Sequence, residues 1–196
     1  MEKRRIKVSE ERQVNTYYEL RHASHVILKK AEEDKDGSFY EVMASLIFTA
    51  FMIEAYLNHI GPRIIKCWGD LERLSPSSKL NLVTEKLGIE KNEGKRPYQT
   101  LSELFKFRNT LAHGKSVFLK SEYETRFVAE PSDKDGYESL QTEWEKYCTQ
   151  DNANRALEDT EAIIKEIHKQ AGVNGDPFSF GMQGTLSTLL PEEKSP

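Results

Sequence analysis

The chain has 196 residues, 31% charged and 37% hydrophobic, with a formal net charge of −4. That is enough for one domain with a real core and a hydrated surface, and the overall charge argues against nucleic-acid binding by the surface as a whole. Two cysteines, Cys67 and Cys148, make no disulfide framework and carry no paired ligand spacing, so a reduced, cytoplasmic setting is expected.

The start Met1–Lys7 is basic, but no apolar run follows it, so no signal peptide is expected. A first helix is predicted over about 10–33, with Tyr17, Leu20, Ser24, Ile27, Leu28 and Ala31 on its inner face. His22 and His25 lie three apart, but no third ligand accompanies them, so no metal site is assigned. Ser38 and Glu41 have capping-box spacing and should open a second helix that runs to about Ile60 and stops at Gly61-Pro62. Apolar residues cover most of its circumference, which marks a central helix, while the run Val42–Ile53 is interrupted and too short to span a bilayer. Glu54 breaks that apolar surface. Residues 63–74 are mixed, with Trp68 as their largest anchor. Ser75-Pro76 should start a short helix containing Leu80, Leu82, Val83 and Leu87, closed by Gly88.

Pro97 opens the helix around which the chain is organised. Leu101, Leu104, Phe105, Leu111 and Ala112 recur at helical spacing, and Arg108 falls in the middle of their stripe. A charge there needs a partner, and Glu54 on a facing helix is the natural one. Asn109 and His113 are four apart and share the adjoining face. Gly114 should close the helix in the left-handed conformation. Residues 95–120 hold Lys95, Arg96, Lys106, Arg108, Lys115 and Lys120 against one acid, Glu103, so an acidic chain has a local excess of +5 centred on this helix.

Residues 116–128 are rich in Val, Phe, Tyr and Thr and suggest a short hairpin or extended arm. A polar loop should follow at 130–136, then a short amphipathic segment with Leu140, Trp144, Tyr147 and Cys148. Asp151 can cap a last long helix whose inner face is Ala153, Ala156, Leu157, Thr160, Ile163, Ile164 and Ile167. Residues 172–196 have tail-like composition and should be loosely held, leaving one domain over 1–171. The fold expected is all-α: an up-and-down bundle of four to five helices, with the hairpin or arm after the motif helix.

The pattern Arg108-Asn109-x-x-x-His113, with Ile53-Glu54-Ala55-Tyr56-Leu57-Asn58 before it, resembles the HEPN superfamily. The likeness extends in helical order over roughly 17–169. It implies a small helical domain, in many members a metal-independent RNase acting as a dimer, with Arg108 and His113 at the family's catalytic positions. In one branch a tyrosine two residues beyond the histidine is modified by an antitoxin; Lys115 stands there, so that regulation does not carry over.

The residues suit that chemistry on their own terms. Cutting RNA without a metal needs a base for the 2′-hydroxyl, an acid for the 5′-oxygen and positive charge on the phosphate. Imidazole titrates near neutrality, and guanidinium presents a fork of donors that never deprotonates. Arg108, Asn109 and His113 are therefore the candidate catalytic residues, Lys106, Lys115 and Lys120 the substrate-binding cations, and Glu54 the support. No cofactor or metal is assigned. The partners expected are RNA, a second copy of the chain and an antitoxin or regulatory protein. The competing expectation is a non-catalytic helical module that binds a protein or nucleotide, with His113 bonded to the last carbonyls and Arg108 occupied by Glu54.

Overall fold

The apolar surface that begins at Val42 decides the architecture, because a helix greasy on most sides must be covered on most sides. The computed structural model describes residues 7–34, 36–120, 140–179 and 182–189, the backbone alone for 7–8 and 182–189. In it, Leu46, Met52, Ile53, Tyr56, Leu57 and Ile60 are buried on a 27-residue helix, α2 (Ser38–Ile64). By length and mean hydropathy alone α2 is long and apolar enough to cross a membrane; half of that window is buried inside the fold. Helices α1 (Thr16–Glu33), α4 (Pro76–Leu87), α5 (Tyr98–Ala112) and α7 (Gln150–Gln170) pack against it. Two short helices complete the set, α3 (Trp68–Leu71) and α6 (Glu143–Tyr147). The described chain is thus mostly helical, in keeping with an all-α class.

One sheet departs from that class. Strand β1 (Lys7–Val14) pairs antiparallel with β2 (Met182–Leu189), Lys7 opposite Leu189 and Val14 opposite Met182. The first helix therefore begins at Thr16 and not near residue 10. Glu10, Glu11, Arg12 and Gln13 offer no apolar stripe for a helix to bury, and strand pairing satisfies their backbone instead.

Other boundaries also moved for identifiable reasons. Gly37, at φ +84°, precedes α2, and no Ser38–Glu41 capping box forms. Glu41 is spent on Lys30 of α1, 2.7 Å away. Helix α2 continues through Gly61-Pro62 to Ile64. The buried Trp68 ring lies directly on Gly61, where an added Cβ would come within 2.2 Å of it, so this turn is held by packing. The cap of α7 is Thr149, whose hydroxyl accepts from the Asn152 amide, and not Asp151. Ser75 and Gly88 bound α4 as expected.

Within the stretch expected to be loosely held, residues 177–178 are packed onto α1. Pro177 and Phe178 are buried, the Tyr17 hydroxyl donates to the Pro177 carbonyl at 3.1 Å, and the Arg21 guanidinium stands 4.6 Å from the Phe178 ring centre. Residues 114–120 have no regular secondary structure. The rest of the expected hairpin or arm over 116–128, and the loop at 130–136, lie outside the described residues.

Candidate functional site

Helix α5 is pinned along its length, and that fixes where its functional end sits. Tyr98 donates to Glu166 of α7 at 2.9 Å. Just before the helix, Arg96 grips Asp159 of α7 with two bonds of 2.8 and 2.9 Å, a fork on a carboxylate. Burial pushes the Asp159 carboxyl up, but the Arg96 and Thr100 bonds together with the Arg96 and Arg155 charges outweigh it and hold the group below its ordinary value. Glu103 accepts from Arg155 at 2.9 Å. Leu101, Leu104, Phe105 and Phe107 are buried, Leu111 is half-buried, and Ala112 is exposed. The apolar stripe thus drives the first three turns into the core and lets the last turn emerge.

Arg108 and Glu54 meet as their stripe positions predict, Nη2 to Oε2 at 3.4 Å. The pair is half-buried, with side chains 24% and 23% exposed, so Arg108 is not sealed in the core. A third charge stands closer. Lys79 of α4, its side chain only 2% exposed, places its ammonium 3.0 Å from Glu54 Oε1. Lys79 was not among the expected site residues, although it shares the stripe of Leu80, Val83 and Thr84, the same anomaly that marked Arg108. Glu54 thus bridges two cations on separate helices.

Arg108 reaches toward the adjoining face through Asn109. Its Nη1 donates to Asn109 Oδ1 at 3.0 Å, and its guanidinium lies 5.7 Å from the Phe51 ring centre. Because arginine only donates, the amide oxygen must face it, and the amide NH₂ is left uncommitted. Of the guanidinium's five donors, these two bonds and no others are made to the described residues. Without Asn109, two side chains five apart on a helix would lie on different faces.

His113 is the residue that caps α5, just beyond its last helical residue. Its backbone amide bonds Asn109 O at 3.0 Å, while its ring is exposed and makes no hydrogen bond to any described residue. The imidazole is therefore not occupied with the helix carbonyls. Gly114 does not adopt the left-handed conformation expected of it; its amide instead lies 3.5 Å from Leu111 O. His113 itself, at φ −116° and ψ 21°, takes the helix out.

Asn109 and His113 open onto a cleft of about 870 Å³ between the end of α5, residues 114–119 and residues 141–147. Its apolar side includes Phe107, Val117, Trp144 and Tyr147. Lys106 and Lys115 also line it, and neither makes an ion pair with a described carboxylate. The two acids of the lining are already engaged, Glu103 by Arg155 and Glu143 by Lys146 at 2.9 Å. The Lys146 bond holds the Glu143 carboxyl below its ordinary value. The third expected cation, Lys120, is not in the lining; its ammonium lies 5.4 Å from the Phe118 ring centre. Part of the +5 excess is also spent elsewhere, Arg96 on Asp159 and Arg108 on Glu54. The cleft is thus lined by aromatic and apolar side chains together with Asn109, His113 and two lysines, its two acids being paired with Arg155 and Lys146.

Of the two histidines on α1, His25 has a partner in the fold. His25 stands 2.8 Å from Glu161 of α7, which also accepts from Arg21 at 2.7 Å. Among the described residues no three His, Cys, Asp or Glu side chains gather as a metal site would require. No family model, curated protein or solved structure matches this chain.

Proposed function

We propose that the protein is a HEPN-like endoribonuclease that cuts RNA without a metal, through attack of the substrate's own 2′-hydroxyl. The observation that carries this reading is the state of the α5 end: a His113 ring that lines a cleft with no hydrogen bond to any described residue, and an Arg108 outside that lining, braced by Glu54 and linked to the cleft through Asn109. Bracing preorganises the guanidinium for the phosphate, while its spare donors supply the charge that the transition state develops. His113 is the proton-transfer group of the site. One imidazole serves one proton-transfer role at a time, so a second copy of the chain supplies the other, as the resemblance implies. The site fits a toxin or defence effector held in check by an antitoxin or regulatory protein, acting in the cytoplasm. The second reading, a non-catalytic binding module, draws on the ion pair that already engages Arg108.

Purified protein incubated with labelled RNA in EDTA decides between them. Cleavage should persist, leave a 2′,3′-cyclic phosphate and spare DNA and 2′-O-methylated RNA. Arg108→Ala and His113→Ala should each slow it at least ~100-fold, the scale of losing a positioned acid–base or charge-stabilising group. Arg108→Lys should rescue little, since an ammonium lacks the fork. Activity that returns only with added magnesium, or that survives His113→Ala undiminished, refutes the assignment. Light scattering should show a dimer; only a 22.6 kDa species would remove the two-histidine arrangement.

A further inference from the structure

The cleft beside His113 holds more than proton chemistry requires. A phosphate and a 2′-hydroxyl need the polar mouth. They have no use for an aromatic wall behind it, and 870 Å³ lies within the range of sites that enclose a whole organic ligand. Trp144 packs on Phe39 of α2, ring centres 6.2 Å apart, and also lines the cleft, half-buried. Phe107 and Tyr147 line it too, ring centres 5.2 Å apart. Burial pushes the Tyr147 hydroxyl up to about 12, so it stays neutral and adds no charge to this wall. At the mouth the Asn109 amide has its oxygen tied to Arg108, which leaves its NH₂ to donate. Lys106 and Lys115 also line the cleft and make no ion pair with a described carboxylate, although the Lys106 charge helps hold Glu143 below its ordinary value.

We infer that this cleft is a nucleobase subsite, taking one unpaired base of the RNA strand whose phosphate is engaged at His113. The inference rests on the nuclease reading for its orientation and names the substrate class: single-stranded RNA. A flat, weakly polar ring matches an aromatic wall, and stacking of this kind tolerates sequence because every base has a π face. A base can enter such a recess only if it is splayed from its neighbours, which a loop or single strand allows and a duplex resists. The Asn109 NH₂ favours a base edge that accepts at that point. Lys106 and Lys115 face the backbone, so binding should also weaken with salt.

The test uses the full chain and a 2′-O-methyl hexanucleotide, which can bind but cannot be cut. Tryptophan emission reports the cleft, because Trp144 lines it whereas Trp68 is only 1% exposed in the core. Single-stranded probe should quench that emission to saturation, and the same strand annealed to its complement should bind at least ~10-fold more weakly. In filter binding, Trp144→Leu should lose about tenfold or more in affinity, and Trp144→Phe should keep most of it. Val117→Glu, at a position 65% exposed and therefore harmless to the fold, should weaken binding by setting a carboxylate on the cleft wall. Equal affinity for single strand and duplex, or unchanged affinity in both Trp144→Leu and Val117→Glu, overturns the subsite. The two proposals fail separately. Probe binding lost in Val117→Glu, in a protein that cuts no RNA, upholds the subsite and removes the nuclease. Cleavage that is indifferent to strandedness and to both substitutions removes the subsite and leaves the nuclease standing.

Discussion

Replacing Glu54 with alanine should be one of the most damaging single changes in this protein. Its carboxylate is the hydrogen-bond partner of Lys79, whose side chain is 2% exposed, at 3.0 Å, and of Arg108 at 3.4 Å. Lys79 also sits one turn into α4, where the amide dipoles of the helix start disfavour a cation, so it depends on the carboxylate all the more. Removing one partner of a buried pair leaves the other as an uncompensated charge, a cost of about 3–5 kcal/mol. Arg108 adds little to that figure because it is 24% exposed and can hydrate. At roughly 2–4 °C per kcal/mol for a chain of this size, the melting temperature should fall by roughly 6–20 °C. Lys79→Met should cost much less, about 1–2 kcal/mol, because Glu54 keeps Arg108 and some water. In the double variant Glu54→Ala/Lys79→Met the loss should be about 2 kcal/mol smaller than the sum of the two single effects, because no buried charge is then left unpaired. Urea denaturation followed by far-ultraviolet circular dichroism of the four proteins measures this. A Glu54→Ala cost below about 1 kcal/mol, or single effects that simply add in the double variant, would refute the bridging carboxylate.

Three further outcomes can be checked on the same protein. Gly61→Ala should destabilise by about 1–3 kcal/mol or more, because the new Cβ meets the buried Trp68 ring at 2.2 Å; a neutral melt would show that the ring can move aside. Iodoacetamide at pH 8 should label Cys67, which is exposed, and spare Cys148, whose thiol burial pushes up to about 11, so mass spectrometry should find one adduct on the native chain and two after unfolding. Burial holds both His59 and His168 below their ordinary value, with the nearby Arg63 charge acting in the same direction, so the unfolded chain takes up protons first. The stability they contribute is full above about pH 6.5 and is lost as pH falls below it. The melting temperature should therefore drop between pH 7.5 and 5.5, and His59→Gln should flatten that slope; an unaltered slope would rule His59 out.

Several features were legible before any coordinates because each is local to one element. The 3.6-residue period of apolar side chains foretold the inner face of α7 and the central role of α2, and Ser75-Pro76 and Gly88 foretold the bounds of α4. Two charges interrupting apolar stripes, Glu54 and Arg108, foretold their own pairing, since neither could be buried alone. The place of His113 at a helix end followed from Gly114, although that glycine does not take the left-handed conformation expected of it. Periodicity says that a face is buried, though, and not what faces it. Lys79 lies on its own helix's stripe, and only the packing of α4 against α2 makes it the nearer partner of Glu54. The pairing of β1 with β2 joins the two ends of the chain through backbone hydrogen bonds, which leave little trace in side-chain pattern. The cleft needs residues 106–119 and 141–147 together, two segments whose approach is set by how α5 and α7 pack. Whether a charged or aromatic side chain is structural or available to a ligand depends on what the rest of the chain places opposite it, and that was decided in three dimensions.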